Sequence, residues 1–234
     1  MTSAQLPAPD YHQIAAVIPA AGIGKRMQSE IPKQYLQLHG KTILEHSANV
    51  LLQLPVPLVI ALSAEDDYFA TTPLATNPKV QTVIGGVERA HSVLAGLQPL
   101  DAEQFPWVLV HDAARPLVQP SDIKRLIQQC QQSGHGGILA CPVRDTMKRG
   151  QQQVEQTVER ACLWHALTPQ LFPTALLRQA LSQALDHGVA ITDEASAMEW
   201  AGHPVLLVEG RSDNIKVTQP EDLALAGFYL ESRA

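Results

Sequence analysis

The chain has 234 residues, of which 45% are hydrophobic and 17% are charged. Such a length and composition are ordinary for a soluble globular protein that buries a core. The formal net charge of -6 argues against a general nucleic-acid-binding surface. No apolar run reaches the roughly 18 residues that a membrane-spanning helix needs. We therefore expect neither a nucleic acid nor a membrane among its partners.

Cysteine and histidine usage indicates the compartment and the kind of site. The three cysteines, Cys130, Cys141 and Cys162, are widely spaced and form no C-x-x-C pair, which favours reduced thiols in a cytoplasmic protein. The opening residues, MTSAQLPAPDYHQ, contain neither the basic region nor the apolar region of a signal peptide. The nine histidines follow no metal-ligand spacing, so a zinc site is not expected.

Short β-branched runs alternate with helical segments along most of the chain. The predicted strands are IAAVIPA, PLVIALS, VQTVIGG, WVLVHDA and GGILACPV, and the predicted helices between them are TILEHSANVLLQL, ERAHSVLAGLQPL and SDIKRLIQQCQQSG. Near-continuous apolar strands separated by helices are typical of a parallel sheet that is covered on both faces. Because no linker divides the chain, we expect one α/β domain over residues 1–234.

Two sequence patterns predict where helices begin. Thr42 and Glu45 form a capping-box pattern at the start of the first long helix. Thr218, followed by Pro220 and Glu221, forms a second such pattern near the C-terminus. Both patterns concern the fold and carry no information on function.

The alternation stops after Val143, where the sequence becomes polar. The stretch RDTMKRGQQQVEQTVERACLW has Gly150 at its centre and few apolar residues. A hairpin that projects from the domain over about residues 143–163 would explain it, and such a ribbon needs a partner to be stable. The alternative is an irregular surface loop, but the segment is longer than most connections, which favours a functional role.

The first predicted strand leads into PAAGIGKRMQSEIPKQ, in which alanines and glycines with little or no side chain are followed by cations. Gly22 and Gly24 would let backbone N–H groups approach a phosphate, although a structural glycine turn is an equal alternative. The segment is not a P-loop, and Met27 replaces the third glycine of the dinucleotide fingerprint. Arg26 and Lys33 favour the phosphate interpretation, because they can neutralise a triphosphate as its charge grows during reaction.

Two further segments carry candidates for binding a nucleotide or substrate. Gly85, Gly86 and Ser92 lie where a strand ends and a helix begins, which suits close packing of a base or ribose. A Gly-Gly pair is more often a simple turn. Lys216 lies in a strand-like segment of EGRSDNIKVTQPED, where an ordinary solvated lysine is the alternative.

The segment VHDAARP places polar residues at the end of another strand. Asp112 would lie at the strand tip with Arg115 just beyond it. The carboxylate can bind Mg²⁺ or a sugar hydroxyl, and the alternatives are a helix cap or an ion pair. His111 is a candidate base, but we expect it to be a hydrogen-bonded histidine of the core.

Taken together, these motifs resemble a known family. The matching segments are PAAGIGKRM with PKQY, ILEHS, GGVER with SVLAGL, VHDAARP, PVRDTMK, LWHALTPQ, TDEASA and VEGRSDNIKVT, spread from Ala16 to Tyr229. They resemble the 2-C-methyl-D-erythritol 4-phosphate cytidylyltransferases of the non-mevalonate isoprenoid pathway. The resemblance implies a Rossmann-like nucleotide-diphospho-sugar-transferase fold, with a mostly parallel sheet, helices on both faces, a protruding β-arm and a homodimer.

The resemblance also implies roles for particular residues. Arg26 and Lys33 would stabilise the transition state, and Arg160 and Lys216 would position the methylerythritol phosphate. The remaining positions would bind the nucleotide (Ala20, Ala21, Gly22, Gly24, Gly85, Gly86 and Ser92) or the substrate (Asp112, Arg115, Thr146 and Thr168), with Asp112 also a candidate Mg²⁺ ligand.

The implied reaction is the Mg²⁺-dependent transfer of CMP from CTP to methylerythritol phosphate with release of pyrophosphate. Its nucleophile is a phosphate monoester that is mostly dianionic at neutral pH, so no general base is required. The alternatives are a cytidylyltransferase for another polyol phosphate such as ribitol 5-phosphate, a more distant sugar-1-phosphate nucleotidyltransferase, or a nucleotide-binding module without turnover. Arg26, Lys33 and Lys216 argue against the last, because a module that only binds has no need of three cations for a leaving pyrophosphate.

Overall fold

The computed structural model describes residues 8–22 and 31–233. In chain order its strands are β1 Ile14–Pro19, β2 Gln37–Leu38, β3 Lys41–Thr42, β4 Leu58–Leu62, β5 Val80–Ile84, β6 Trp107–Val110, β7 Gly136–Pro142, β8 Met147–Gly150, β9 Val154–Val158, β10 Trp164–Pro173 and β11 Val205–Glu209. Its α-helices are α1 Ile43–Leu52, α2 Arg89–Leu97, α3 Pro120–Ser133, α4 Thr174–Asp186, α5 Glu194–Trp200 and α6 Pro220–Glu231. The five strands and three helices predicted from the alternating pattern are all present.

Within the described residues, the central sheet has seven strands in the order β11-β7-β10-β6-β1-β4-β5. The neighbours from β6 through β1 and β4 to β5 are parallel, as are β11 and β7. Strand β10 is antiparallel to both β6 and β7, so the prediction of a mostly parallel sheet is confirmed. The pairing of β10 shifts register between Ala166 and Gln170, a stretch that includes Pro169, which has no N–H to donate.

Both faces of the sheet are covered by helices, as predicted. Along β1, Ile14, Ala16 and Ile18 pack with the buried side chains of α1 and α3. The alternate residues, Ala15 and Val17, pack with the buried side chains of α2, α4 and α5. Because successive strand residues point to opposite faces, a continuous apolar run serves both layers of the core.

One of the two predicted helix starts is confirmed, and the other is displaced by one residue. In α1, the amide of Glu45 donates to Thr42 Oγ1 at 3.1 Å and the amide of Thr42 donates to Glu45 Oε2 at 2.7 Å. Helix α6 begins at Pro220, its N-cap is Gln219, and the acidic partner is Asp222, not Glu221. The fixed φ of proline suits the first helical position, which makes the preceding residue the cap.

The polar segment after Val143 forms the predicted hairpin. Strands β8 and β9 pair antiparallel, with Met147 opposite Val158 and Lys148 opposite Thr157. They form a sheet of their own, and nearly all of their residues are exposed. We call residues 143–163 the arm. Elsewhere in the chain, none of the described helices is both long and apolar enough to span a bilayer.

Candidate active site

A cavity lies where the carboxyl ends of the parallel strands meet. Because β1, β5 and β6 run in the same direction, the loops that follow them share one edge of the sheet, where ligands of such sheets bind. The cavity is lined by residues 19–22, Lys33, Gln34, residues 86–89, Ser92, residues 112–114 and Lys216. The structure therefore brings together most of the predicted nucleotide-binding residues with Lys33, Asp112 and Lys216.

Gly85 and Gly86 are both required by close packing, and Gly86 also lines the cavity. A Cβ at Gly85 would lie 2.7 Å from the Cβ of Ala21 and 2.8 Å from Ser92 Oγ, and one at Gly86 would overlap His91. The amide of Gly86 donates to Ser92 Oγ at 3.2 Å. Glycine is thus required at both positions by close packing, and the same packing places Ser92 at the cavity surface.

The cationic segment behind the first strand is partly described. Lys33 begins a short 3₁₀-helix, Lys33–Tyr35, and its Nζ donates to the carbonyl of Val217 at 3.3 Å. The next residue, Gln34, donates from Nε2 to the carbonyl of Ala20 at 2.8 Å, which ties this segment to the end of β1. Gly24 and Arg26 lie outside the described residues.

Asp112 lies at the tip of β6 among three cations. Arg89 Nε lies 2.9 Å from Oδ1, and Lys216 Nζ lies 2.9 Å from Oδ2, with Arg115 Nε at 3.4 Å from the same oxygen. Burial alone would favour the protonated form, but the charges of Arg89, Lys216 and Arg115 hold the pKa of Asp112 far below its ordinary value. Asp112 is therefore an ionised carboxylate at neutral pH, and it forms the ion pairs that the sequence left as one alternative.

His111 is fully buried, as expected for a histidine of the core. Its Nε2 lies 3.0 Å from the carbonyl of Arg115, and its Nδ1 lies 2.9 Å from Thr168 Oγ1. Burial lowers the pKa of His111 to about 4, so the ring is neutral at pH 7. A carbonyl only accepts, so Nε2 carries the proton and Nδ1 accepts from the Thr168 hydroxyl. That hydroxyl oxygen accepts in turn from the amide of Asp112 at 3.0 Å.

Arg115 connects the loop after β6 to the segment that carries Lys216. Its Nη1 donates to the carbonyl of Asn214 at 2.7 Å, and the amide of Val217 donates to the carbonyl of Ala114 at 2.8 Å. The prediction of a strand-like segment at Lys216 is wrong, since β11 ends at Glu209. The segment leaves the sheet because its backbone bonds to the loop after β6, and this detour brings Lys216 to Asp112.

Two of the predicted substrate residues belong to the arm. Thr146 and Arg160 are exposed, and Arg160 Nη1 donates to the carbonyl of Arg144. Arg160 lines a shallow surface depression with its arm neighbours, and neither residue is among the described residues that line the cavity. Within one subunit, the described structure does not bring these two residues to the other candidates.

Sequence analysis missed two residues of this site, Arg89 and Glu194. Arg89 is the first residue of α2, and its Nη1 and Nη2 donate to Glu194 Oε1 and Oε2 at 2.6 and 3.0 Å. Glu194 is the first residue of α5 and is fully buried. The cation shortly after Gly-Gly was the available signal for Arg89. Glu194 gave none, because an acid in the first turn of a helix is common.

The fold and the site together define a class of protein. At the carboxyl edge of an open α/β sheet, Arg89, Arg115 and Lys216 surround the ionised carboxylate of Asp112, and Gly22, Gly86 and Lys33 line the same cavity. Such an edge binds phosphorylated ligands and stabilises charge on them. The chain is therefore an α/β protein whose candidate site has the features of a phosphate-binding sheet edge.

Comparison with known proteins identifies the family. The sequence model of the 2-C-methyl-D-erythritol 4-phosphate cytidylyltransferase family matches residues 14–232. Relatives of that name from Photobacterium profundum and Salmonella choleraesuis are 56% and 59% identical, covering 94% and 93% of this chain and 97% and 93% of theirs. The chain belongs to the 2-C-methyl-D-erythritol 4-phosphate cytidylyltransferase family.

Solved structures agree with this assignment. The crystal structure of the enzyme of that name from Thermus thermophilus is 31% identical, covers 94% of this chain and 99% of its own, and has a TM-score of 0.80. The corresponding structure from Francisella tularensis is 34% identical, covers 92% and 99%, and has a TM-score of 0.79. The Rossmann-like fold that the resemblance implied is thereby confirmed.

Proposed function

We propose that the protein transfers CMP from CTP to 2-C-methyl-D-erythritol 4-phosphate, releasing pyrophosphate and forming 4-diphosphocytidyl-2-C-methyl-D-erythritol for isoprenoid precursors. The observation that carries the proposal is that Gly86, Ser92, Lys33, Asp112 and Lys216 line one cavity. Membership of the family and a reaction that requires no base agree with it. The location is proposed to be cytoplasmic, in keeping with three free thiols.

The chemistry needs charge stabilisation more than proton transfer. The attacking phosphate is largely dianionic at pH 7, so the obstacle is bringing two polyanions together and stabilising charge on the attacked α-phosphate. His111 is not placed to act as a base, because it is fully buried and both ring nitrogens bond to protein groups. Cations at the edge of the sheet would supply the positive charge that stabilises these phosphates.

The residues divide into three groups by proposed role. Lys33, together with Arg26, stabilises the charge that develops on the α-phosphate. Backbone at the Gly85–Gly86 turn, with Ser92 and the small residues that follow β1, holds the cytidine. The methylerythritol phosphate is positioned by a third set, which comprises Lys216, Asp112, Arg115 and Thr168 with Thr146 and Arg160 of the arm.

The proposed cofactor is Mg²⁺. Both oxygens of Asp112 are engaged by cations, and no cluster of three potential ligands occurs among the described histidines, cysteines, aspartates and glutamates. The described residues therefore do not form a metal site by themselves. Asp112 is the candidate protein ligand, which would require one of its cations to give way, and the ion would supply charge neutralisation on the triphosphate. Excess chelator should abolish turnover and added Mg²⁺ restore it; a full rate in chelator would contradict the cofactor.

We propose that the arm pairs two copies of the chain into a homodimer. The arm is a two-stranded ribbon with exposed apolar side chains at Met147 and Val154, and such a ribbon is marginal in water without a partner. Arg160 and Thr146 would then complete the cavity of the second subunit, which explains why they lie apart from their own.

Mixed dimers test this arrangement. Arg26→Ala and Arg160→Ala homodimers should each be nearly inactive. After unfolding and remixing in equal amounts, half of the dimers are mixed, and each mixed dimer has one site with both arginines intact. Activity should therefore return to about a quarter of the wild-type value for a symmetric dimer that reassembles at random. A mixture as inactive as its parents would show that Arg160 serves its own subunit or that the chain is a monomer.

Pyrophosphate release separates the candidate functions. The protein is incubated with CTP and Mg²⁺ and, in turn, methylerythritol phosphate, ribitol 5-phosphate and a sugar 1-phosphate. We expect release with methylerythritol phosphate at a kcat/KM well above that for the other acceptors. Higher kcat/KM with ribitol 5-phosphate would reassign the substrate, and CTP binding without release under any condition would indicate a nucleotide-binding module.

A further inference from the structure

An ion pair between Arg89, which is 26% exposed and lines the cavity, and the fully buried Glu194 lies beside Asp112. Arg89 forms a two-bond fork with Glu194, at 2.6 and 3.0 Å, and its remaining Nε donates to Asp112 Oδ1 at 2.9 Å. One guanidinium thus joins the first residue of α2 to the first residue of α5 and to the tip of β6. Neither Arg89 nor Glu194 belongs to the substrate-binding set proposed above.

The fork is held in place by its surroundings. Glu194 is fully buried, so its charge requires a bonded counter-ion. Gln170, itself 1% exposed, accepts from the amide of Ala195 at 3.0 Å and donates to Asp193 Oδ2 at 2.9 Å. These bonds fix the start of α5, and with it the Glu194 carboxylate, so Arg89 has one well-defined position.

The three cations divide the two oxygens of Asp112 unequally. Arg89 bonds to Oδ1, whereas Lys216 and Arg115 share Oδ2 at 2.9 and 3.4 Å. The Lys216 side chain is 37% exposed and lines the cavity, while that of Arg115 is 11% exposed and bonds to the Asn214 carbonyl. Lys216 is therefore the cation that is able to leave Asp112 for a ligand.

We infer that Arg89, held in place by Glu194, is a positioning residue that pairs with Oδ1 of Asp112 and so lets Lys216 move to the phosphate of the polyol substrate. The inference rests on the proposed function. With Arg89 in place, Asp112 keeps a close counter-charge when Lys216 moves. Without Arg89, the departure of Lys216 would leave a buried carboxylate with only the longer contact to Arg115, and Asp112 would retain Lys216.

The first test uses the paired variant Arg89→Gln/Glu194→Gln, in which one positive and one negative charge are removed together. Net charge is unchanged, no carboxylate remains at position 194 without its counter-ion, and Asp112 keeps Lys216 and Arg115, so the fold should be retained. We expect KM for the polyol phosphate to rise about tenfold, the scale of coupling within one network, while KM for CTP changes less than about twofold. Unchanged KM for the polyol phosphate would overturn the inference. The proposed function is tested separately, by whether the wild type releases pyrophosphate from CTP with methylerythritol phosphate.

The second test needs no turnover and asks whether Arg89 acts through Lys216. Lys216→Met is made in the wild type and in the paired variant, and binding of inorganic phosphate is measured by titration calorimetry for all four proteins. We expect Lys216→Met to weaken phosphate binding about tenfold in the wild type and less than about twofold in the paired variant. Equal losses in both backgrounds would mean that Arg89 does not act through Lys216. Either that result or a wild type without Lys216-dependent phosphate binding would overturn the inference.

Arg178→Gln is the matched control for a purely structural arginine. Arg178 Nη2 donates to the carbonyls of Leu97 and Leu100 at 2.8 and 2.5 Å, which ties the end of α2 to α4 away from the cavity. This variant should lower the melting temperature and leave phosphate binding unchanged. If the paired variant folds poorly, Arg89→Lys gives the same comparison, because it keeps a charge for Glu194 but lacks the Nε–H that reaches Asp112.

Discussion

Acid should destabilise the protein through His111. Burial lowers the pKa of this histidine to about 4 in the folded chain, whereas the ordinary value of 6.5 applies once the chain unfolds. Between these values the unfolded chain binds a proton that the folded chain does not, so the stability contributed by the neutral ring is present above pH 6.5 and is lost as the pH falls. At pH 4.5 the loss should be about 2.5 kcal/mol.

The loss is measured by comparing wild type with His111→Gln in urea unfolding at pH 7.5 and pH 4.5. Glutamine can donate to the Arg115 carbonyl and accept from Thr168, as the neutral ring does, but it has no proton to gain. The wild type should therefore lose about 2.5 kcal/mol more than the variant between the two pH values. Asp112 is present in both proteins, and its own acid effect cancels in the difference.

His135→Gln provides the control, because His135 is exposed on the loop before β7. The unfolding free energy of the His135→Gln variant should equal that of the wild type at both pH values. If the difference between wild type and His111→Gln is the same at pH 7.5 and pH 4.5, the His111 ring is not held neutral by burial, and the hydrogen-bond assignment through Thr168 is wrong.

Three further outcomes are expected. Lys33→Ala should lower kcat far more than it raises KM for CTP, by roughly 2–4 kcal/mol of transition-state stabilisation; steady-state kinetics showing only a raised KM would make Lys33 a binding residue. The acid limb of the pH–rate profile should follow the substrate phosphate near pH 6 and stay in place in His111→Gln; a shifted limb would give His111 a catalytic role. Thr42→Ala should cost about 1 kcal/mol of unfolding free energy by urea titration, because the capping box of α1 is lost; an unchanged midpoint would show that the cap contributes nothing.

Local physics explains how much of the fold the sequence predicted. Continuous apolar runs such as those of β1 and β4 predict buried strands by themselves. Successive residues of a strand point to opposite faces, so a run without polar residues must be packed on both sides. The polarity of the arm likewise predicted a hairpin, now seen as β8 and β9. The position of β10 between β6 and β7 was beyond prediction, because a strand with a proline and a register shift has no clear period.

The site was predictable only where residue type alone implies chemistry. Glycines after a strand and a cation such as Lys33 indicate phosphate binding wherever they occur at the edge of an open sheet. The sequence around a carboxylate does not show which distant cation will pair with it. Arg89 and Glu194 are 105 residues apart in the chain, and they meet Asp112 only because α2, α5 and the loop after β6 pack against one another. Sequence by itself determined which residues can carry charge, and the tertiary structure decided which charges are neutralised, because burial makes each buried ion depend on the counter-ion that the fold brings to it.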